Sequence, residues 1–234
     1  MQQIVNELGQ PVGVPLEGWT PRARPPGTAM KGRYCRIEPL DPSRHAADLY
    51  DANCQDREGR IWTYLPYGPF ENLDDYRGWL TKACKGQDPL FHAIVDSSNG
   101  RAVGLASYLR IEPAVGVIEV GHINYAPELQ KTAAATEAMY LMMCRVFDEL
   151  GYRRYEWKCD GLNAGSRAAA ARLGFLFEGI FRQATIYKGR NRDTAWFAIT
   201  DKDWPAIKRR MELWLDPANF DARGRQKQSL VEIA

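Results

Sequence analysis

The sequence predicts an α+β fold: one domain with a twisted, mostly antiparallel mixed sheet flanked by helices. The order of patterns along the 234 residues is helices, three strands, a helix, a strand, a helix and two strands, which differs from alternating strand–helix units. The three consecutive strand patterns are joined by short turns, which predicts an antiparallel meander. No G-x-G-x-x-G or G-x-x-x-x-G-K-[ST] motif occurs, which disfavours dinucleotide-binding and P-loop folds.

The first part of the chain predicts an arm followed by a strand and two helices. Residues 1–30 contain five prolines and several glycines, so we expect an extended arm that lies on the body or is free. A strand is predicted over residues 33–40. Asp41 and Pro42 then predict the N-cap and first turn of a helix that runs to about residue 53. A loop over residues 62–70 carries aromatic side chains that could face a ligand or simply pack. A second helix follows.

The meander and the remaining elements complete the predicted domain. Strands are expected over residues 90–96, 102–111 and 116–125. Apolar residues at steps of three and four predict the strongest helix, residues 136–150, which stops at Gly151. A strand over 152–159, a helix over 163–173, strands over 175–187 and 193–200, and a helix over 204–215 follow. We divide the chain into the arm 1–30, a body 31–205 and a C-terminal helix with a polar tail, 206–234.

Composition excludes several classes of function. The formal charge of +2 lacks the strong positive field that nonspecific nucleic-acid binding requires. The five cysteines are an odd number without C-x-x-C spacing, which argues against a disulfide framework or a zinc ribbon. No signal-peptide pattern and no apolar run near 18 residues occur. We therefore expect a cytoplasmic protein that binds neither nucleic acid nor membrane, and no metal, since His45 and His92 are isolated in the sequence.

Residues 118–138 carry the strongest signal for chemistry. A strand ends at Tyr125, and six residues, 130–135, lead into the long helix. Unsatisfied N–H groups and the dipole at a helix start attract anions. The alanines leave the backbone approachable and Lys131 adds a positive charge. The alternative, that this segment merely starts a helix with good helix formers, stays open at this point.

Glu119 is the candidate base. Strand alternation places it on one face with Ile123 and Tyr125, among apolar neighbours, and places His122 on the opposite face as a structural histidine. Burial raises the pKa of a carboxyl group and makes it a better base. A carboxylate at the rim that pairs with an arginine is the alternative.

Several motifs in order resemble those of the GNAT superfamily of acyl-CoA-dependent N-acyltransferases, in the branch similar to ribosomal-protein N-terminal acetyltransferases. The segment from Gln130 to Ala135 matches the family pattern [QR]-x-x-G-x-[GA], with Ala133 where glycine is usual. Further matches are T-E-A at 136–138, N-x-x-S from Asn163 to Ser166, L-G-F at 173–175, E-G at 178–179 and the acidic Asp193. The resemblance covers residues 34 to 204.

The resemblance implies transfer of an acetyl group from acetyl-CoA, the co-substrate, to a primary amine of a small molecule or peptide N-terminus. The cofactor would lie between splayed strands, its pantetheine near Ile123 and Tyr125. Its pyrophosphate would lie on the loop 130–135. The implied cofactor-binding residues are Ile123, Tyr125, Gln130, Lys131, Thr132, Ala133, Ala134, Ala135, Thr136 and Asn163, and the implied catalytic residues are Glu119 and Ser166.

Alternatives accompany this assignment. Asn163 and Ser166 could serve only to cap a helix. No tyrosine follows Ser166 on its helix, so the general acid is unassigned and a catalytically silent CoA-binding sensor or scaffold is the second hypothesis. Arg182 or Arg192 could steer the CoA phosphates. The acceptor and the oligomeric state are open, a homodimer among the alternatives.

Overall fold

The computed structural model describes residues 3–233, so the first two residues of the expected arm and the last residue of the tail lie outside the described part. The strands are β1 Gln3–Val5, β2 Pro11–Gly13, β3 Met30–Lys31, β4 Cys35–Pro39, β5 Leu90–Asp96, β6 Ala102–Glu112, β7 Val117–Tyr125, β8 Arg154–Asp160, β9 Leu176–Tyr187 and β10 Arg190–Thr200. The helices are α1 Pro42–Asn53, α2 Leu73–Ala83, α3 Ala133–Cys144, α4 Ala164–Leu173 and α5 Trp204–Leu215. Short 3₁₀ turns span Arg60–Trp62 and Pro217–Asn219, and a π-helical turn, Arg145–Glu149, continues α3.

The main sheet has eight strands in the order β3-β4-β5-β6-β7-β8-β10-β9. Neighbouring strands are antiparallel except for β7 and β8, which are parallel. The predicted fold class is therefore confirmed. The parallel pair joins Val117–Val120 to Arg154–Trp157 only, and beyond that point β7 and β8 no longer pair with each other. The sheet thus opens at its centre.

Helices cover both faces of the sheet and define two apolar clusters. On one face α1 and α2 pack over strands β5 and β6, with Leu49, Tyr76 and Leu80 buried between them. On the other face α3 and α5 bury Met139 and Trp204 against the central strands. The opening between β7 and β8 lies between these two layers, so it can be reached by groups from both.

The long helix α3 begins at Ala133, earlier than the predicted start at residue 136. Its N-cap is Thr132, whose Oγ1 accepts a hydrogen bond from the Ala135 amide at 3.1 Å. Alanine has the highest helix propensity, so the three alanines join the first turn. The expected loop 130–135 is therefore a short turn followed by three helical residues, and the preceding Lys131 has a left-handed φ of 61°.

A β-bulge in β7 overturns the expected alternation. His122 has a φ of 50°, and the register changes from Ser107 opposite Gly121 to Leu105 opposite Asn124, so β7 holds one extra residue. The extra residue reverses the direction of later side chains. Ile123 and Tyr125 therefore pack against the α3 cluster and not on the face of Glu119.

The prediction that His122 lies on the face of β7 opposite Glu119 is also wrong. Because the bulge turns the strand, the His122 ring packs 4.9 Å from the ring of Phe91, in the cluster under α1 and α2. His122 consequently lies on the same side of the sheet as Glu119.

The two chain ends are more ordered than the patterns suggest. The arm contains the β1–β2 hairpin and ends in the first residue of β3, and the proline and glycine content did not predict these strands. Trp19 Nε1 donates to the Ala114 carbonyl at 2.8 Å, and Tyr152 donates to the Ala23 carbonyl at 3.1 Å, so the later part of the arm is bound to the body. In the C-terminal segment Leu230 is fully buried. The helix α5 continues across the boundary that we set at residue 205.

Candidate active site

A cavity of about 970 Å³ opens at the start of α3, and we call it the α3 cavity. It gathers residues from β7, from the turn before α3 and from α4. The predicted cofactor-binding residues that line it are Ile123, Tyr125, Gln130, Lys131, Thr132, Ala133, Ala135, Thr136 and Asn163. Ala134, the remaining member of that set, is buried and does not line it.

The first turn of α3 presents free backbone donors. Among the hydrogen bonds of residues 3–233, the amides of Ala133 and Ala134 have no protein acceptor. The Ala135 amide is capped by Thr132 Oγ1, and the Thr136 amide reaches the Thr132 carbonyl at 3.4 Å. Two orphan N–H groups at a helix start form an anion-binding arrangement.

The α3 cavity is also basic. Lys131, Arg172 and Arg225 line it. Arg172 Nη1 donates to Thr136 Oγ1 at 3.1 Å, and burial lowers the pKa of Arg172. Its guanidinium lies 5.0 Å from the Trp214 ring centroid, which fixes it by a cation–π contact. These donors and cations fit a phosphorylated ligand.

A second cavity of about 660 Å³ contains Glu119, and we call it the Glu119 cavity. Lys158, Arg110, Trp196 and Tyr64 are among its lining residues. Ile61, Ile123, Asn163 and Ser166 line both cavities. The two cavities therefore meet where β7 and β8 diverge.

Glu119 lies in a charged cluster inside its cavity. Its side chain is 6 % exposed, and its Oε2 lies 2.9 Å from Lys158 Nζ and 3.5 Å from Arg110 Nη1. Lys158 Nζ also lies 2.6 Å from Glu156 Oε2 and 3.7 Å from the Trp196 ring centroid. Burial raises the pKa of Glu119 above its ordinary value, and the two cations offset part of that rise. Glu119 is thus both an ion-pair partner and a cavity-lining carboxylate with a raised pKa.

Asn163 and Ser166 lie at the start of α4, at the junction of the cavities. Asn163 Oδ1 accepts the Ser166 amide at 3.0 Å, which confirms the N-cap reading for Asn163. Ser166 Oγ accepts a hydrogen bond from Trp157 Nε1 at 2.9 Å. Because that oxygen acts as the acceptor, the Ser166 hydroxyl proton is available to another group.

Some aromatic side chains of the predicted loop 62–70 pack in the core, and one lines the Glu119 cavity. Trp62 packs edge-on against Phe70 at 5.5 Å and belongs to the cluster under α1 and α2. Tyr64 lines the Glu119 cavity and donates to the Leu162 carbonyl at 3.2 Å. His122 Nδ1 lies 3.2 Å from the Tyr67 hydroxyl, and burial lowers the pKa of His122 to about 4. That imidazole is neutral at pH 7 and lines the Glu119 cavity, so its role as a structural histidine stays a prediction.

The sequence patterns did not predict which charged residues of β8 lie near Glu119. Glu156 and Lys158 alternate in β8 between apolar residues, and the parallel register places Glu156 opposite Glu119. The available signal was a strand with charged residues at every second position, since Arg154, Glu156, Lys158 and Asp160 alternate with uncharged residues in β8. The expectation that Arg192 steers the CoA phosphates is not supported, because Arg192 lines the Glu119 cavity and not the α3 cavity.

The described residues offer neither a metal site nor a membrane-spanning helix. Within residues 3–233, no group of three or more His, Cys, Asp or Glu side chains is placed to hold a metal ion. None of the helices in that part of the chain has the length and apolar character needed to cross a membrane.

Comparisons with known proteins agree with this geometry. A family model described as an acetyltransferase (GNAT) domain matches residues 35–176. The crystal structure of a GCN5-related N-acetyltransferase from Brucella melitensis superposes with a TM-score of 0.91 at 47% identity, covering 93% of this chain and 99% of that one. A GNAT-family acetyltransferase structure from Chromobacterium violaceum gives 0.78 at 41% identity, covering 84% and 98%. A Bacillus subtilis protein named as a candidate ribosomal N-acetyltransferase, YdaF, is 26% identical over 174 residues, covering 74% of this chain and 92% of that protein.

Proposed function

The chain belongs to the GNAT acetyltransferase family, whose members transfer acetyl groups from acetyl-CoA, and from this we propose that it acetylates a primary amine with Glu119 as general base. One observation carries the proposal: a cavity with free helix-start amides and a cavity with a buried carboxylate share Asn163 and Ser166. A thioester bound from one side can meet an amine bound from the other at that junction.

The α3 cavity supports binding of the CoA part of the donor. We propose that the amides of Ala133 and Ala134 bind the pyrophosphate and that Lys131 adds a positive charge. Ile123 and Tyr125, turned into this cavity by the bulge, would line the pantetheine arm. Thr136 holds Arg172 in place, and Gln130 Nε2 donates to the Tyr125 carbonyl at 2.9 Å. Gln130 and Thr136 thus shape the cavity.

The reaction needs a neutral amine nitrogen. Deprotonating an α-amine with a pKa of about 8 costs about 1 kcal/mol at pH 7, and a lysine-like amine near 10.4 costs about 4 to 5 kcal/mol. The nitrogen attacks the thioester carbonyl carbon, the C–S bond breaks, and CoA leaves with the sulfur electrons. The amine proton passes to Glu119, directly or through water. We propose that the Ser166 hydroxyl gives its proton to the departing sulfur and regains one from the Glu119 carboxyl through water. The products are the N-acetyl amide and the CoA thiol.

The name of one relative suggests a class of acceptor amine for this chain. YdaF is named for ribosomal N-acetylation, so a peptide N-terminus joins small-molecule amines as a candidate acceptor for this chain. The second hypothesis, a catalytically silent CoA-binding module, is favoured by Ala133 in place of glycine and by the absence of a tyrosine after Ser166 on α4.

Release of CoA thiol from acetyl-CoA against a panel of amines, with mass spectrometry of the products, tests the proposal. We expect amine-dependent release that falls at least 100-fold in Glu119→Gln, while CoA binding measured by calorimetry is retained. Glu71→Gln, at an exposed position in the loop before α2, is the matched control. CoA binding without turnover for any amine would favour the silent module, and absence of CoA binding would contradict both hypotheses.

A further inference from the structure

Cationic side chains are numerous in the lining of the Glu119 cavity. Four cationic side chains line it: Arg60, Arg110, Lys158 and Arg192. Two carboxylates, Glu119 and Asp160, oppose them. Charges of one sign that line a concave surface raise the local potential and repel ligands of the same sign. A cation already neutralised by a carboxylate contributes little to this effect, so the ion pairs of the four cations decide where an anion can bind.

Arg192 differs from the other three cations. Lys158 is paired with Glu119 and Glu156, Arg110 with Glu119, and Arg60 with Glu58. Within residues 3–233, no carboxylate lies within ion-pair distance of Arg192. Its Nε donates to Thr194 Oγ1 at 3.2 Å, in a partly buried setting. Both terminal nitrogens of the guanidinium are thus left for a ligand.

The carboxylate of Asp160, which also lines the Glu119 cavity, does not form an ion pair with Arg192. Asp160 is 5 % exposed, and its Oδ1 accepts the Leu162 amide at 2.8 Å. Its Oδ2 accepts the Tyr187 hydroxyl at 2.9 Å. Both oxygens are occupied by donors within the protein, and Asp160 therefore serves to hold the α4 entry and the β9 end together.

The walls beside Arg192 suit the body of a small molecule. Phe181 stacks on Trp196 with ring centroids 4.4 Å apart, and both rings line the Glu119 cavity. A cavity that has an apolar wall and one unpaired guanidinium suits a ligand with a short carbon chain and one anionic end.

We propose, on the basis of the function proposed above, that the acceptor amine carries a carboxylate or phosphate-type group that Arg192 binds inside the Glu119 cavity. The planar guanidinium fork binds both groups with two parallel hydrogen bonds. With the anion at Arg192, the amine end is directed toward Glu119 and the junction at Ser166. The acceptor is thus an amino acid or amino phosphonate type of molecule and not a polyamine.

Acetylation kinetics with four amines of similar length test this specificity. We expect kcat/KM for β-alanine and 2-aminoethylphosphonate to exceed that for β-alaninamide at least tenfold, with 1,3-diaminopropane lowest. Arg192→Gln lowers kcat/KM for β-alanine and 2-aminoethylphosphonate at least tenfold more than it lowers kcat/KM for β-alaninamide, and Arg192→Lys restores part of the preference. Arg182→Gln is the matched control, because Arg182 is an exposed arginine of β9 that lines neither cavity.

Binding of propylphosphonate, which has no amine, gives a readout without turnover. In calorimetry with CoA present, we expect its Kd to weaken at least tenfold in Arg192→Gln and not in Arg182→Gln. An unchanged Kd, or a wild-type preference for the amide or the diamine, overturns the anionic-acceptor proposal while leaving acetyl transfer intact. Binding through Arg192 with no amine acetylated leaves the anion site standing and contradicts the proposed function.

Discussion

The ammonium of Lys158 lies 2.9 Å from the carboxylate of Glu119, with both side chains buried at the point where β7 and β8 separate. Burial alone would push the pKa of Glu119 higher than it is, because the charged form is disfavoured away from water. Lys158 acts in the opposite direction by stabilising that charged form. This ion pair therefore lowers the pH at which the carboxyl group of Glu119, the proposed base, loses its proton.

Removing Lys158 should move the acidic limb of the pH profile. A base works in its deprotonated form, so activity rises as the pH passes the pKa of Glu119. In Lys158→Met one cause that lowers this pKa is lost, so the pKa rises and the acidic limb of log kcat against pH shifts to higher pH. We expect a shift of about one unit or more, measured with saturating acetyl-CoA and amine.

Arg110→Gln tests the same effect with a smaller loss of stability. Loss of Lys158 also leaves Glu156 without its close cation, and breaking a buried pair costs about 3 to 5 kcal/mol of stability. Arg110 is largely exposed and lies 3.5 Å from Glu119, so its removal should shift the limb in the same direction by less and keep the fold. A shift to lower pH in either folded variant would contradict Glu119 as the base.

Ala133→Gly should strengthen CoA binding. Ala133 lines the α3 cavity at the position where the family pattern has glycine, and its methyl group lies beside the free amides. Removing the methyl lets the pyrophosphate approach more closely, and we expect the Kd for CoA in calorimetry to fall several-fold. Glycine costs about 0.5 to 1 kcal/mol relative to alanine inside a helix.

Ala134→Gly is the control for that variant. It also introduces glycine into the first turn of α3, but its side chain is buried and does not line the cavity. We expect a stability loss without tighter binding. Equal tightening in both variants would indicate a looser helix start, and no tightening in Ala133→Gly would contradict contact between the methyl group and the pyrophosphate.

We expect Glu137 to stabilise the fold and to have no part in CoA binding. Its carboxylate is buried and accepts the amides of Arg33, Tyr34 and Cys35 at 2.8, 2.6 and 2.8 Å. Glu137→Gln replaces one acceptor oxygen with an NH₂ that faces an N–H donor. We expect a loss of about 2 to 3 kcal/mol of unfolding free energy in urea denaturation.

The same variant should keep its Kd for CoA when measured well below the unfolding midpoint. Glu71→Gln, at an exposed position, should leave the midpoint unchanged. If Glu137→Gln unfolded at the wild-type urea concentration, the hairpin between β3 and β4 would not depend on this carboxylate.

Periodicity predicted most of the fold because most of its elements are amphipathic and bounded by turn residues. The resemblance to the GNAT family, and not periodicity, implied that residues from β7, the α3 turn and α4 belong to one site. The sequence also offered Asn163 as an N-cap, which the structure has. Periodicity failed at His122, because a bulge depends on pairing with β6 and leaves no mark on alternation. It missed Lys158 for a related reason: its partner Glu119 is brought near by the parallel register of β7 with β8, which is a tertiary property.

Ser166→Ala should slow the chemical step. Ser166 Oγ accepts from Trp157 Nε1 at 2.9 Å, which leaves the hydroxyl proton free at the junction of the two cavities, where the leaving sulfur is proposed to lie. We expect kcat to fall about tenfold, with a smaller change in the KM for acetyl-CoA, in steady-state thiol release. Trp157→Phe keeps the ring but removes the donor, so Ser166 loses its fixed orientation and kcat should fall by less. A rise in KM at constant kcat would assign Ser166 to binding of acetyl-CoA instead. Wild-type kinetics in both variants would mean that Ser166 has only a structural role in the first turn of α4.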